Sequence, residues 1–325
     1  MKLRVIVPCF NEMDVLHQTI NELTQILDKD AHQQAYDYDI LFINDGSRDQ
    51  TMTILQEAAI QSSRVKFISF SRNFGKEAAM IAGFEHSVDC DAVIMIDADL
   101  QHPPELIPNM VKAYVEGYDQ VIAKRSRTGE HASRKWLSRL YYKMINYFIE
   151  DIKLEDGIGD FRLLSQRAVR SLVRLGEYNR FSKGLFSWIG YNSKVIQYEN
   201  VAREAGESKW SFGSLFNYAI DGLISFNYKP LRMMIYLGLM IFGMSMLYIV
   251  YLLIDTLIHG VDVPGYFTMI AAVLFIGGIQ LVSIGVVGEY IGRIYYEVKQ
   301  RPKYIVEAAN VEIPRKHHKE ESVGE

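Results

Sequence analysis

Two aspartates and a glutamine follow an apolar run at every second position of the chain. They are Asp97, Asp99 and Gln101 in M-I-D-A-D-L-Q. Because side chains alternate in direction along an extended segment, the three are expected to point the same way. Carboxylate and amide oxygens suit hard divalent cations, and Mg2+ usually binds one or two carboxylates together with substrate phosphates. The spacing predicts a site for Mg2+ or Mn2+; a solvated turn with capping aspartates is the alternative reading of so short a motif.

The elements that must position these residues alternate between strands and helices. Apolar strands are predicted at L-R-V-I-V-P, D-I-L-F-I-N, V-K-F-I-S-F, D-A-V-I-M-I and D-Q-V-I-A, with helical patterns between them. This alternation is typical of an α/β domain with a mostly parallel sheet. Ligands of such sheets bind beyond the carboxyl ends of the strands. Polar clusters at four strand ends, 8–12, 44–47, 71–76 and 97–101, therefore predict one shared site.

The sequence lacks the glycine-rich loops that hold phosphates in many nucleotide-binding proteins. No strand is followed by G-x-G-x-x-G or by G-x-x-x-x-G-K-[ST]. A nucleotide bound here therefore needs another group for its phosphates. A metal ion on the aspartates would supply one.

The composition limits the class of protein. With 325 residues, 49% of them hydrophobic, the chain is more apolar than most soluble proteins, which indicates a soluble part plus membrane segments. The formal net charge of -4 gives no global basic field, so we expect no nucleic-acid partner. The cysteines, Cys9 and Cys90, form neither a metal-ligand pattern nor a disulfide framework, and are expected to be buried free thiols.

Two long uncharged runs follow the predicted α/β domain. They cover residues 233–254 and 263–288, about 22 and about 26 residues. Because about 20 residues cross the hydrocarbon core, we predict transmembrane helices at 231–255 and 263–288. Buried core helices are the alternative. Glycines within both runs permit close helix packing and hence a homo-oligomer.

The charges around these runs predict their orientation. The connection between them carries no Lys or Arg, whereas basic residues lie outside the pair, among them Lys229, Arg232 and Arg293. The positive-inside rule then places both termini in the cytoplasm. No secretory signal pattern opens the chain, so we expect the α/β domain to stay on the cytosolic side. The predicted organisation is a cytosolic domain at 1–210, an amphipathic interfacial segment at 211–230, two spans of the plasma membrane, and a cytosolic tail at 289–325.

Four motifs in this order carry a resemblance to a known family. They are V-I-V-P-C-F-N-E, I-N-D-G-S-R-D-Q-T, S-R-N-F-G-K-E-A-A and D-A-D-L-Q-H-P-P-E. Together they resemble the family 2 glycosyltransferases with a GT-A fold. Within that family they are most similar to the polyprenyl-phosphate sugar transferases, which include dolichol-phosphate mannose synthases and bacterial undecaprenyl-phosphate glycosyltransferases. The resemblance covers residues 3–210, and the C-terminal spans look like the bacterial branch; Cys9 departs from the Tyr more usual in the family.

The resemblance implies an activity and roles for matching residues. It implies inverting transfer of one sugar, with glucose or N-acetylglucosamine as first guesses, from a nucleotide diphosphate sugar to a polyprenyl phosphate. A UDP-sugar is favoured, and the lipid-linked product would serve cell-surface glycopolymers. The implied metal ligands are Asp97, Asp99 and Gln101, and the nucleotide would be bordered by Pro8, Asn11, Glu12, Asp45, Arg72, Lys76 and Asp97.

The second half of the site is predicted in G-D-F-R. The resemblance implies that Asp160 faces the sugar as a base. A lipid phosphate has its second pKa near about 6 and needs little deprotonation, so a group that orients the sugar or the acceptor is an alternative role for Asp160, and a helix cap is another. Basic residues suit two anionic substrates, although single loop arginines are often only solvated. The candidates for phosphate or acceptor binding are Arg125, Arg127, Arg162, Arg203 and Lys209.

Two other functions compete with this interpretation. A processive polysaccharide synthase has the same type of catalytic domain, but normally needs more spans and a Q-x-x-R-W motif, which this sequence lacks. A non-catalytic membrane scaffold is the second alternative. The complete D-A-D-x-Q motif and Asp160 argue against it.

Overall fold

The computed structural model describes residues 1–126, 146, 155, 157–199, 229–259 and 265–312. The chain divides into two compact units. The first is Met1–Ser211 together with Pro302–Glu325, and the second is Phe212–Arg301. The carboxyl-terminal segment therefore belongs to the same unit as the amino-terminal domain.

The first unit is built on an eight-stranded sheet in the order β7-β5-β6-β4-β1-β2-β3-β8. Its strands are β1 (Lys2–Cys9), β2 (Asp37–Asn44), β3 (Val65–Phe70), β4 (Ala92–Met95), β5 (Gln120–Arg125), β6 (Ile158–Ser165), β7 (Ser193–Tyr198) and β8 (Val306–Ala309). Its helices are α1 (Met13–Gln34), α2 (Thr51–Gln61), α3 (Lys76–Glu85), α4 (Ile107–Val115), α5 (Gln166–Arg174) and α6 (Ser182–Trp188).

The centre of the sheet is parallel. β1 pairs in parallel with β2 and β4, and β2 pairs in parallel with β3. The predicted mostly parallel α/β sheet is therefore confirmed. The fifth predicted strand, β5, does not pair with β4, as it would in a simple succession of βαβ units. Instead, β6 runs antiparallel between β4 and β5, and β5 pairs in parallel with β7.

Apolar side chains on both faces of the central strands form the core. Val5 and Val7 join the cluster that α1, α2 and α4 cover, whereas Ile6 on the opposite face meets Gly83 of α3. Helices on both faces bury a parallel sheet completely, which is why these strands are almost continuously apolar. Cys9 and Cys90 are buried free thiols, as predicted, and burial raises the pKa of both.

The carboxyl-terminal segment adds the edge strand β8, which pairs antiparallel with β3. Tyr304 stacks on Phe70 with a ring-centroid distance of 4.9 Å and donates a hydrogen bond to Glu85 at 2.5 Å. The Asn310 side chain accepts from the Phe67 N–H at 2.6 Å and donates to a β3 carbonyl. Within the tail predicted at 289–325, residues 306–309 therefore form a strand that the sequence did not predict.

The second unit contains α7 (Lys229–His259) and α8 (Tyr266–Lys299). Among the residues that the structure describes, one helical segment, Phe275–Lys299, is long and apolar enough to cross a membrane. It overlaps the span predicted at 263–288. The span predicted at 231–255 lies within α7 and stays a prediction. The interfacial segment predicted at 211–230 falls outside the described residues up to position 228.

A buried ion pair joins two central strands. Arg4 of β1 and Asp39 of β2 are register partners, and Nε and Nη2 of Arg4 lie 2.5 and 2.6 Å from the carboxylate oxygens of Asp39. The two side chains are only 9% and 14% exposed. A third guanidinium contact donates to the carbonyl of His86. The pair satisfies two charges that the sheet would otherwise bury alone.

Replacing the buried arginine should destabilise the domain strongly. We expect Arg4→Ala to cost about 3–5 kcal/mol, because it leaves the Asp39 carboxylate buried without a partner. The matched control is Arg64→Ala, whose partner pair with Asp28 is 43% and 48% exposed and is worth about 0–1 kcal/mol. Thermal unfolding of the full chain in detergent would measure both. Equal shifts of the unfolding midpoint would contradict the buried pair's importance.

Candidate active site

The polar strand ends meet along one edge of the sheet. Because β1, β2, β3 and β4 are parallel, their carboxyl ends point the same way and stand in the order β3, β2, β1, β4. β8 extends this row beyond β3, and β6 extends it beyond β4. The row has two parts, a charged cluster at the β4–β6 end and a cleft at the β1–β3–β8 end.

A lysine joins two carboxylates in the charged cluster. Lys76 Nζ lies 2.6 Å from Oδ1 of Asp97 and 2.7 Å from Oδ2 of Asp160. Lys76 opens α3, Asp97 follows β4 and Asp160 belongs to β6, so three elements converge on one ammonium group. The structure thus brings together three residues that the sequence placed in the site from separate motifs.

Histidine and tyrosine side chains complete this cluster. Nε2 of His102 lies 3.5 Å from Oδ2 of Asp97, and Nδ1 lies 2.8 Å from the hydroxyl of Tyr198 at the end of β7. Sequence reasoning assigned neither residue. His102 had a signal, because it follows D-A-D-L-Q directly in the quoted motif. Tyr198 had none, because nothing in the sequence links β7 to the aspartates.

The charges of the cluster depend on one another. Burial acts to raise the pKa of Asp97 and Asp160, but the nearby Lys76 ammonium outweighs it, so the pKa of each carboxyl lies below the ordinary aspartate value. Burial acts to lower the pKa of Lys76, and the two carboxylates raise it above the usual lysine value. All three groups are therefore ionised at neutral pH.

The aspartate pair is not arranged as the alternation argument expected. β4 ends at Met95, and the chain then turns, with Leu100 in the left-handed region at φ 54°. The Gln101 N–H donates to Oδ1 of Asp99 at 3.2 Å, while Asp97 faces Lys76. The extended strand that would align Asp97, Asp99 and Gln101 ends at Met95, before the first of these residues.

The residues of this turn fit a hard cation by their chemistry. Asp97, Asp99 and Gln101 offer carboxylate and amide oxygens, the donors that Mg2+ and Mn2+ take. Within the described residues, no group of three or more His, Cys, Asp or Glu side chains stands together in an arrangement that could hold a metal ion. The ligand set therefore stays a prediction that rests on donor chemistry.

The other part of the row is a cleft of about 420 Å3. Two predicted nucleotide residues, Asn11 and Arg72, line it, whereas Pro8, Glu12 and Asp45 do not. The remaining lining residues are Phe10, Asn44, Gly46, Ser47, Arg48, Met52, Ser69, Phe70, Ser71, Asn73 and Glu307. The cleft is polar, open to solvent and bordered by two arginines, which suits an anionic organic ligand.

Backbone geometry shapes the floor of the cleft. Gly46 has φ 65°, and a Cβ at this position would lie 2.3 Å from the backbone carbon of Arg72. Only glycine permits this approach between the β2 and β3 ends. The side chain of Asn11 accepts from the Arg48 N–H at 2.9 Å, which joins the β1 end to the same turn.

Asp45 lies beneath the cleft and is 4% exposed. One carboxylate oxygen accepts the Phe74 N–H at 2.6 Å, and the other accepts the Gly75 N–H at 2.9 Å. Burial raises the pKa of Asp45, and these two N–H groups offset part of that shift. The structure thus gives Asp45 a positioning role, in which it fixes the residues just before Lys76; its predicted contact with base or ribose stays a prediction.

Of the predicted phosphate-binding residues, the structure describes Arg125 and Arg162, and the side chain of Arg162 lies in the interior. Arg162 is 2% exposed, its guanidinium lies 3.7 Å from the ring centroid of Phe186, and it donates to the Gly159 carbonyl at 2.8 Å. An interior side chain held in this way does not face an incoming lipid phosphate. Arg125 is the last residue of β5, and its backbone N–H donates to the Gly157 carbonyl at 2.9 Å. Arg127, Arg203 and Lys209 lie outside the described residues.

The chain is similar to known proteins over most of its length. The model of the family "Glycosyl transferase family 2" matches residues 4–173, and that of the "GtrB C-terminal hairpin" matches residues 229–294. The "Putative glycosyltransferase CsbB" of Bacillus subtilis (strain 168) is 54% identical over 312 residues, which covers 95% of this chain and 92% of that protein. The "SfII prophage-derived bactoprenol glucosyl transferase" of Shigella flexneri is 42% identical over 314 residues, which covers 95% of this chain and 99% of that protein. Among solved structures, the mannosyltransferase PcManGT from Pyrobaculum calidifontis, in complex with GDP-Man and Mn2+, aligns at 15% identity with a TM-score of 0.43 over 62% of this chain and 56% of that one.

Removing the bridging lysine should reverse the pH dependence of stability that the cluster contributes. In the native protein the pKa values of Asp97 and Asp160 are lowered, so the stability they add is complete above the unfolded aspartate pKa of about 4 and is lost at lower pH. In Lys76→Met the two carboxyls lose the ammonium group that contacts both of them, and their pKa values rise. The variant should therefore be less stable at pH 7 and regain stability, relative to the native protein, as the pH falls toward 4.

Thermal unfolding midpoints from pH 7 to pH 4 would test this expectation. The control is Lys112→Met, which removes an exposed lysine of α4 outside the cluster. If Lys76→Met and Lys112→Met show the same dependence on pH, Lys76 does not set the pKa values of the two aspartates.

Proposed function

The chain belongs to glycosyl transferase family 2, and from this membership we propose that it transfers a single sugar from a nucleotide diphosphate sugar to a polyprenyl phosphate. Its catalytic domain is the GT-A α/β sheet of that family, and the protein is a glycosyltransferase. The observation that carries the proposal is the meeting of Lys76, Asp97 and Asp160 beside the cleft. Relatives named bactoprenol glucosyl transferases, similar over both the domain and the hairpin, supply the lipid acceptor class.

The row of strand ends gives the donor a direction. The cleft at the ends of β1, β2 and β3 takes the nucleoside, and Asp97 lies one strand further along, near the diphosphate. The sugar then extends toward Asp160 on β6. We propose glucose as the sugar and UDP as its carrier, since the similar Shigella proteins are named as glucosyl transferases.

The reaction is a displacement at the anomeric carbon. An oxygen of the lipid phosphate forms the new bond, the bond to the nucleoside diphosphate breaks, and the configuration inverts. Asp97, Asp99 and Gln101 would hold Mg2+ or Mn2+, which when bound neutralises charge on the leaving diphosphate. Lys76 supplies a fixed positive charge beside the same group. The stabilisation by the metal ion and the stabilisation by Lys76 would both be greatest when negative charge develops on the leaving oxygen.

Asp160 acts in this proposal by orientation. Its lowered pKa keeps it ionised, so it can accept hydrogen bonds from sugar hydroxyls. The lipid phosphate, with its second pKa near about 6, is largely a dianion at neutral pH and needs no strong base. Asp160 therefore fixes the sugar for attack and repels misplaced phosphate.

The hairpin and its flanks support a reaction at a membrane surface. Phe275–Lys299 can span the bilayer, and basic residues flank the paired helices. We propose that α7 and α8 anchor the protein in the plasma membrane with the domain on the cytosolic face. The acceptor's phosphate then lies at the surface while its tail stays in lipid. A processive synthase or a scaffold has no specific observation in its favour.

A transfer assay tests this function directly. The detergent-purified full chain would be incubated with undecaprenyl phosphate, Mg2+ or Mn2+, and a panel of radiolabelled UDP- and GDP-sugars. We expect label in the organic extract with UDP-glucose, lost on chelation. Asp99→Ala, which removes a proposed metal ligand, and Asp160→Asn, which removes the charged acceptor that orients the sugar, should each reduce the rate by about 100-fold or more.

Asp89→Asn is the matched control, because Asp89 is exposed and lies outside the row of strand ends. It should retain the native rate. Absence of lipid-linked label with every donor would reject the polyprenyl-phosphate acceptor. Label without any loss in Asp99→Ala and Asp160→Asn would reject the proposed roles of these aspartates.

A further inference from the structure

The pairing of β8 with β3 is irregular at one residue. Ser69 pairs with Ala308 and Phe70 with Val306, so the register passes over Glu307. A residue left over in this way forms a β-bulge, which bends the strand and redirects a side chain. Bulges occur preferentially at sheet edges and beside functional sites. Glu307 has both properties, because β8 is the edge strand and Glu307 lines the cleft.

The backbone on both sides of the bulge is anchored. Before it, the Ser71 N–H donates to the Ile305 carbonyl at 3.0 Å, and Tyr304 stacks on Phe70. After it, the Asn310 N–H donates to the Phe67 carbonyl at 3.2 Å. The position of Glu307 against the cleft is thus fixed by contacts that Glu307 does not make itself.

The order of strands assigns Glu307 a particular part of the donor. Along the row β8, β3, β2, β1, β4, Glu307 stands at one end and Asp97 at the other. A donor whose diphosphate lies near Asp97 turns its nucleoside toward Glu307. An ionised carboxylate only accepts hydrogen bonds, so it suits the hydroxyls of a ribose or an N–H of a base, and it repels phosphate.

We propose that Glu307 is a donor-binding residue that accepts hydrogen bonds from the O–H or N–H groups of the nucleoside. This inference rests on the proposed function, because it takes a nucleotide sugar as the ligand of the cleft. The segment that follows the membrane helices then supplies one wall of the nucleotide site. Specificity for the nucleoside is set in part by a residue about 200 positions from the aspartates that act at the diphosphate.

Glu307→Gln in the full chain tests the contact, with Glu312→Gln as the matched control. Both remove one exposed carboxylate from the same segment, and only Glu307 lines the cleft. Calorimetric titration with UDP should give a Kd about 10-fold higher for Glu307→Gln, because hydrogen bonds to charged groups are among the stronger ones. The KM for the donor should rise equally with kcat unchanged, and Glu312→Gln should match the native protein.

Nucleoside analogues separate the two sources of the hydrogen bond. If ribose hydroxyls are the donors, 2′-deoxy-UDP or 3′-deoxy-UDP should bind the native protein more weakly than UDP and bind Glu307→Gln with no further loss. If the base N–H is the donor, the deoxy analogues should lose the same factor in both proteins. Either result supports the contact.

Direct binding keeps this test apart from the proposed reaction. If the native protein binds UDP and Glu307→Gln weakens it, the inference holds even where no sugar reaches the lipid. An unchanged Kd for UDP in Glu307→Gln, or the same loss in Glu312→Gln, overturns it. If the native protein binds neither UDP nor GDP, the cleft is not a nucleotide site and the inference falls with it.

Discussion

The contact of one lysine with two aspartates is the interaction on which the site depends. Asp97 follows β4, Asp160 lies on the antiparallel strand β6, and Lys76 Nζ contacts both carboxylates. Two like charges this close would repel strongly in a partly buried setting. The position of Lys76 in turn depends on Asp45, which binds the backbone just before α3. Gly46 allows the loop after β2 to approach the backbone of Arg72 in the loop after β3. Both loops therefore contribute to the position of the Lys76 ammonium group.

Much of the fold could be predicted because the central strands are buried on both faces. Their apolar runs fix β1 to β4, and the helices α1, α2 and α3 lie between these strands, where helical patterns were predicted. β6 could not be recognised, since Asp160 and Arg162 interrupt its apolar pattern. Those charges are tolerated in a strand because Lys76 pairs with one and Phe186 stacks on the other. β8 escaped prediction because four residues at a sheet edge carry almost no periodic signal.

The candidate site was predictable as a location more than as a set of contacts. Parallel strands bring their carboxyl ends together whatever the side chains are, which is why Asn11, Arg72 and Asp97 fall on the same edge. The contacts depend on where the backbone leaves its regular path. Leu100 adopts a left-handed conformation in this turn, so the alternation of an extended strand does not continue to Gln101. Arg162 was assigned to phosphate by its charge, but its strand turns it toward Phe186.

The return of the chain to the sheet also determines when the domain can be completed. β3 is synthesised early, but β8 follows the helical hairpin, after the 90 residues of Phe212–Arg301. β8 begins 236 positions after the end of β3. At about 5–20 residues per second, the outer edge of β3 therefore waits roughly 10–50 s for its partner. An unpaired edge strand is a site for wrong pairing with other chains. Completion of the catalytic domain is therefore tied to synthesis of the helical hairpin that precedes β8.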